Sequence, residues 1–313
     1  MTVLERFYEG DIRALSRIIS HIENGREGYR DVLSRLYDRV GSSLRLGITG
    51  PPGAGKSTLV NCLAHRLLKQ GHKVGVVAVD PTSPFTGGAL LGDRVRMSDF
   101  PTDGSFYFRS MATRGASGGL ANATDNVTIA YDAFGFDVTL LETVGVGQVE
   151  LDIVDSCDTV AVVVVPESGD SVQTMKAGLM EIADIFCVNK SDRPGAERII
   201  SELRQMLKMR KPPEDKWSIP VVRTVATSTD GVEELEEAIN KHRAHMGESG
   251  FFEKRRRYQI RKKILTVLRN RFQNEFVDRL REQGDLDQAV DEILAKKTNP
   301  FEVGDNLYRR FSA

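Results

Sequence analysis

Gly50-Pro51-Pro52-Gly53-Ala54-Gly55-Lys56-Ser57 decides the fold of this 313-residue chain. It matches the pattern G-x-x-x-x-G-K-[ST]. It stands between the apolar run Leu44–Thr49 and a helix-patterned stretch, Ser57–Gln70, that Gly71 stops. In that setting glycines let the backbone wrap closely around phosphate oxygens, with successive N–H groups and a helix N-terminus facing them. The pattern implies nucleotide contacts from Pro52, Gly53, Ala54, Gly55, Lys56, Ser57 and Thr58. Lys56 would reach the β- and γ-phosphates, and the Ser57 hydroxyl would take one Mg²⁺ position. A glycine-rich turn without a ligand leaves the lysine unexplained.

Further apolar runs follow at Val74–Val79, Phe106–Arg109, Val138–Leu141, Thr159–Val165, Ile185–Val188 and Ile219–Val225. Helical stretches separate most of them: Leu120–Phe134, Val172–Ile182, Ala196–Met209 and Gly231–His242. This alternation predicts an α/β fold, a mostly parallel sheet with helices on both faces. Upstream, Ile12, Leu15, Ile19 and Ile22, then Val32, Leu33, Leu36 and Val40, form an amphipathic helical stripe. Beyond Phe251 strand patterns cease. Phe252–Gln283 reads as one long helix, Leu286–Lys297 as another and Phe301–Phe311 as a short amphipathic tail. The expected organisation is an N-terminal helical extension (1–42), a nucleotide domain (43–248) and a C-terminal helical arm (249–313).

Lysine plus arginine is 43 against 44 acids, a net charge of −1, so no global basic excess points to nucleic acid or an anionic membrane. The longest apolar run, Val160–Val165, falls far short of the roughly 18 residues of a membrane span. Glu5, Glu9 and Asp11 near the start argue against a secretory signal. Cys62, Cys157 and Cys187 lie scattered in apolar segments and read as buried thiols of a reducing, cytoplasmic setting. The basic cluster Lys254–Arg257, with Arg261, Lys262 and Lys263, is followed closely by acids and reads as a solvated helix face. His242 and His245 have metal-compatible spacing, but no cysteine or carboxylate cluster accompanies them.

Asn189-Lys190-Ser191-Asp192 follows the run Ile185–Val188, at the strand end where ligands meet parallel sheets. The Asp192 carboxylate can accept hydrogen bonds from guanine N1–H and the N2 amino group. Adenine offers neither, and charge-assisted bonds of about 1.5–3 kcal/mol each make that a large discrimination. The bland alternative for Asp192 is a helix N-cap ahead of Pro194. Glu142-Thr143-Val144-Gly145 ends the run Val138–Leu141; an acid there suits a Mg²⁺ shell that retains water, and the Gly145 N–H can approach a γ-phosphate. Ala226, in Val225-Ala226-Thr227, is placed by chain order to offer its N–H to guanine O6. Gln148 is a candidate to orient an attacking water or, equally, a polar loop residue.

With these residues in view, the chain resembles the MeaB/ArgK family, GTPase chaperones of adenosylcobalamin-dependent acyl-CoA mutases of the methylmalonyl-CoA mutase type. The matching stretches are Gly50–Thr58, Asp80–Ser83, Gly87–Met97, Arg109–Leu120, Glu142–Gln148 and Asn189–Asp192. The resemblance implies a P-loop GTPase that binds GTP or GDP with Mg²⁺, the ion surrounded by Ser57, Asp80, Asp93 and Glu142. It implies hydrolysis coupled to cobalamin delivery to the mutase, with Lys56, Asp80, Glu142 and Gln148 as the catalytic set. It also implies a homodimer formed through C-terminal helices, and a mobile element containing Asp170, Gln173 and Lys176 that relays nucleotide state to the mutase. Two departures stand out: Pro166-Glu167-Ser168-Gly169-Asp170 where the family usually has PGAGD, and Val225 where it has serine. The runners-up are a nickel-insertion GTPase, which relies on metal ligands that five scattered histidines supply poorly, and a P-loop small-molecule kinase, which gains nothing from N-K-x-D.

Overall fold

The apolar runs become seven strands of one parallel sheet in the computed structural model, ordered β3-β2-β4-β1-β5-β6-β7. The structure describes residues 1–80, 99–112, 119–143, 153–166, 177–209, 214, 217–273, 276, 280 and 283–312. Helices α1 (Val3–Tyr8), α2 (Ile12–Glu23) and α3 (Tyr29–Leu36) precede β1 (Leu44–Thr49) and α4 (Lys56–Lys69). Then come β2 (Val74–Asp80), β3 (Phe106–Ala112), α5 (Gly119–Phe134), β4 (Val138–Thr143) and β5 (Thr159–Val164). They are followed by α6 (Ala177–Ile182), β6 (Ile185–Val188), α7 (Ala196–Met209), β7 (Val221–Arg223) and α8 (Val232–Glu248). The C-terminal helices are α9 (Phe251–Phe272), α10 (Asp285–Leu294) and α11 (Pro300–Ser312). The strand order reverses direction at β1, so the loop after β1 opens at a topological switch point.

Strands β1 and β4–β6 are buried on both faces, which is why they read as continuous apolar runs. On one face Leu46, Ile48, Val76, Leu140 and Val163 pack with Leu59 and Leu63 of α4 and Leu235 and Ile239 of α8. The other face carries two clusters. Val160, Val162 and Phe186 meet Leu179 of α6 and Ile200 and Leu203 of α7. Val77, Val79 and Met111 pack with Val127 and Tyr131 of α5 and with Phe7, Leu15, Ile18, Ile19 and Leu36 of α1–α3. The N-terminal helices therefore complete the sheet's own core.

β7 is shorter than its apolar run. Pro220 accepts from the Phe186 N–H at 2.9 Å but has no N–H to donate, which suits the start of an edge strand. At the other end Val225 leaves the ladder to bridge Asp230. α9 runs to Phe272, within the expected 252–283, and α6 covers the C-terminal part of the expected 172–182; residues 167–176 lie outside those described.

Two compact units emerge, Met1–Arg256 and Arg257–Ala313. In the first, Arg255 and Arg256 do not belong to a solvated face: Arg255 Nη1 donates to Asp184 at 3.0 Å, and Arg256 Nη2 donates to Asp158 at 2.7 Å. Their position beside buried strand starts overrides the charge pattern. His242 is a core histidine, its Nδ1 2.8 Å from Thr159 Oγ1 and its ring 4.9 Å from that of Trp217. Burial pushes the Cys187 thiol up to about 12 and the Cys157 thiol higher, as inert interior groups. In the second unit, Ile260, Ile264, Leu265 and Leu268 of α9 are exposed.

Because Ile19 is fully buried between α2 and the sheet-side cluster, Ile19→Ala should destabilise the first unit by about 2–5 kcal/mol in urea unfolding. A loss under about 1 kcal/mol would show that the N-terminal layer melts separately.

Candidate functional site

The loop between β1 and α4 is pressed so tightly against its surroundings that only glycine fits at two positions. A Cβ on Gly50 (φ 138°) would lie 2.0 Å from the Val163 carbonyl oxygen of β5, and one on Gly55 (φ 84°) would lie 2.4 Å from Asn189 Nδ2. The loop delivers the chain into α4 at Lys56, whose buried ammonium donates to the carbonyls of Gly50 at 2.8 Å and Pro51 at 2.9 Å. The cation is thus held within the curve of the loop, beside the N-terminus of a 14-residue helix. That arrangement suits a phosphate chain.

One residue on, Ser57 Oγ donates to Glu142 Oε1 at 2.5 Å. Glu142 lies near the end of β4, paired in register with Ile48 of β1 and Ala78 of β2. Thr143 Oγ1 donates to Thr49 Oγ1 at 2.9 Å and ties the two strand ends together. A hydroxyl and a carboxylate converging here form a hard-oxygen pair, the donor chemistry that Mg²⁺ takes. Asp80 closes β2 two residues beyond Ala78, and so shares this edge of the sheet. Asp93, Gly145 and Gln148 lie outside the described residues, as do Asp170, Gln173 and Lys176.

The other half of the site follows β6 and β7. Asn189 is buried; its Nδ2 donates to Ala54 O at 2.8 Å, and its Oδ1 accepts from Thr224 Oγ1 and from Ala226 N, both at 3.1 Å. The same side chain therefore joins the phosphate loop to the segment after β7. Lys190 adopts a left-handed conformation (φ 55°), rare for a residue with a side chain, and its carbonyl accepts from Arg193 N at 3.0 Å. Ser191 N donates to Thr224 O at 3.1 Å. Asp192 is exposed at the tip of this turn, and α7 begins only at Ala196, so the N-cap alternative is not realised. The Ala226 N–H, assigned from chain order to guanine O6, is engaged by Asn189.

Sequence reasoning missed three contributors. Thr224 and Thr49 are hydroxyls at strand ends, Thr49 directly before the glycine-rich motif and Thr224 outside any motif. Cys62 of α4 donates to the Ala226 carbonyl at 3.1 Å and so braces the segment after β7. Only the placement of Thr224 at the end of an apolar run could have flagged it.

Switch-point loop, buried lysine and the Asn189–Asp192 turn define a P-loop nucleotide-binding protein. The chain also matches the family model described as "Methylmalonyl Co-A mutase-associated GTPase MeaB" over residues 13–281, and it belongs to that family. It is 46% identical over 309 residues to a putative GTPase of Pyrococcus abyssi, covering 98% of this chain and 95% of the relative. GTPase ArgK of Escherichia coli is 32% identical, with 95% and 91% covered. The mitochondrial "methylmalonic aciduria type A homolog" of Mus musculus is 31% identical, with 99% and 80% covered. A crystal structure described as an "LAO/AO transport system kinase" superposes with a TM-score of 0.70 at 25% identity, over 99% of this chain and 97% of that one. The protein is thus a GTPase that binds GTP and GDP, and the nickel-insertion and kinase alternatives give way to that membership.

Asn189→Ala would leave the Ala54 carbonyl, the Thr224 hydroxyl and the Ala226 N–H without this partner at once. With about 1–3 kcal/mol per buried orphan, stability should fall by about 2–5 kcal/mol in chemical denaturation and nucleotide affinity should drop with it. Unchanged nucleotide affinity would mean that the loops hold their spacing without the amide.

Proposed function

We propose that this GTPase is a chaperone of an adenosylcobalamin-dependent acyl-CoA mutase, gating the loading of intact cobalamin and the removal of damaged cofactor. The observation that carries this reading is the family match over residues 13–281, reaching from the N-terminal helices well into the C-terminal arm. The arm from residue 249 pairs two copies of the chain in this reading, and the exposed apolar residues of α9 support it.

In the nucleotide site, backbone groups of Pro52–Gly55 and Thr58 cradle the phosphates. Lys56 exchanges the Gly50 and Pro51 carbonyls for β- and γ-phosphate oxygens. Ser57 and Glu142 would hold Mg²⁺ with Asp80 and Asp93, and the 2.5 Å approach of the serine and glutamate oxygens supports this pairing. Mg²⁺ held there would supply charge neutralisation to the phosphate chain. Gly145 donates its N–H toward the γ-phosphate, and Gln148 orients the attacking water. On the base side Asp192 reads guanine N1–H and N2, Lys190 packs its stem along the base, and the Ala226 N–H turns from Asn189 to O6.

Selectivity should rest on Asp192. The wild type should bind GTP far more tightly than ATP, and Asp192→Asn should weaken GTP binding while favouring xanthosine triphosphate, whose C2 carbonyl accepts from the amide. Equal affinity of the wild type for ATP and GTP in a displacement titration would overturn the assignment.

Coupling should run through Asp170, Gln173 and Lys176. A lever between two states changes their difference and leaves nucleotide affinity nearly intact. Asp170→Ala and Lys176→Ala should therefore lose stimulation of GTP turnover by the cognate mutase while retaining GTP affinity. Full stimulation in both variants would remove the segment from the mechanism. No stimulation of the wild type by the mutase would remove the coupling itself.

A further inference from the structure

The N-terminal layer contains a cavity of about 710 Å³ between α1, α2 and α3, within the size range of small-molecule sites. Leu4, Ile18 and Val32 line it with hydrocarbon, one from each helix. Around them stand the guanidiniums of Arg17 on α2, Arg26 in the α2–α3 connection and Arg35 on α3, against the single carboxylate of Asp31. His21 adds an imidazole one turn beyond Arg17. Among the described residues, these three arginines form no ion pair with the protein, although Arg35 and Asp31 share a helix face at i, i+4 spacing.

The back wall is fixed. Ser20 lines the cavity and accepts from Arg109 Nη2 of β3 at 3.5 Å, and the same guanidinium pairs with Glu23 of α2. α2 is further locked by Leu15, Ile19 and Ile22, all buried against the core. A rigid apolar floor with a rim of unpaired guanidiniums is a surface of definite chemistry. Arginine forks match phosphate and carboxylate oxygens, and the floor favours hydrocarbon. Inorganic phosphate would leave the floor wet, and a neutral apolar molecule would leave the guanidiniums without counter-charge.

From this we propose that the α1–α3 cavity is a second ligand site, which takes a small organic anion: a compact hydrocarbon body carrying a phosphate or similar oxyanion head. It lies on the sheet face opposite α4, so it is distinct from the nucleotide site, and it stands or falls independently of the mutase reading.

The test is calorimetric titration of the full chain, saturated with GDP and Mg²⁺ so that the phosphate loop is filled, using hexyl phosphate as probe. Saturable one-site binding is expected, with inorganic phosphate and hexanol each at least about tenfold weaker. Arg17→Ala/Arg35→Ala should weaken hexyl phosphate by at least about tenfold, and Arg26→Glu should weaken it too. Both should keep wild-type GDP affinity and circular dichroism, which separates loss of the site from loss of the fold. Lysine at positions 17 and 35 should rescue part of the binding, because charge is retained while the fork is lost. Undiminished binding in the folded double variant, or no saturable binding up to about 10 mM, would overturn the proposal. So would sedimentation with phosphatidate vesicles without binding of hexyl phosphate, which assigns the arginines to a lipid surface.

Discussion

The buried amide of Asn189 is the constraint on which the nucleotide end of the sheet depends. It needs both a donor and an acceptor: Nδ2 meets the Ala54 carbonyl, while Oδ1 receives the Thr224 hydroxyl and the Ala226 N–H. Aspartate is nearly isosteric but would set a carboxylate against a carbonyl oxygen in a desolvated place. Leucine would orphan every partner. The approach also requires Gly55, because a Cβ there would collide with the amide nitrogen. A feature that looks like loop flexibility in the sequence is thus a packing requirement, and the loop after β1 is spaced from the segment after β7 by a single side chain.

The opposite end of the sheet is held by the same device repeated with charge. Asp132 accepts from the backbone N–H groups of Gly41, Ser42 and Ser43 at 2.9–3.2 Å and sets the entry into β1. Asp158 accepts from Arg45 N at 3.0 Å and from Arg256, while Asp184 accepts from Val160 N at 2.8 Å and from Arg255. Each carboxylate accepts from amides at the strand starts, and in each case a guanidinium offsets its charge: Arg45 at Asp132, Arg256 at Asp158 and Arg255 at Asp184. Ion pairs partly withdrawn from water gain little over an apolar core in stability, but they fix geometry. Here they fix where the strands begin. With the strand starts pinned, the loops at the far end rest on a rigid base.

Much of this was legible in the sequence wherever the signal is local. Apolar runs gave the strands, because strands buried on both faces have no alternation to blur them, and the glycine-lysine pattern located the switch-point loop. What escaped notice depends on partners far along the chain. The Asn189 amide bonds to Ala54 and Ala226, on either side of it in sequence, so a local pattern shows the residue and not its joints. Arg255 and Arg256 sit in a run of like charge, and only the fold brings Asp184 and Asp158 to them. The N-terminal stripe announced amphipathic helices but not their target. That the stripe meets Val77, Val79 and Tyr131 follows from strand order, which no periodicity encodes.

Strand order also separates the two kinds of chemistry. Oxygen donors suited to a metal come from the start of α4 after β1 and from the end of β4, with β2 beside them, whereas the turns suited to a base follow β6 and β7. β5 stands between the two groups, and Gly50 presses on the Val163 carbonyl of that strand. The halves therefore meet at the glycine-rich loop, through Gly50 against β5 and Ala54 against Asn189. In the proposed nucleotide site, removing a terminal phosphate would change charge first beside Ser57 and Glu142, on the β4 side of that meeting point. The base-side contacts rest on Asn189, Thr224 and Cys62, which are anchored by buried strands and by α4. On that proposal a nucleotide would change its phosphate state while its base remains held. The β2 and β4 side of the sheet would then be the side placed to register the difference.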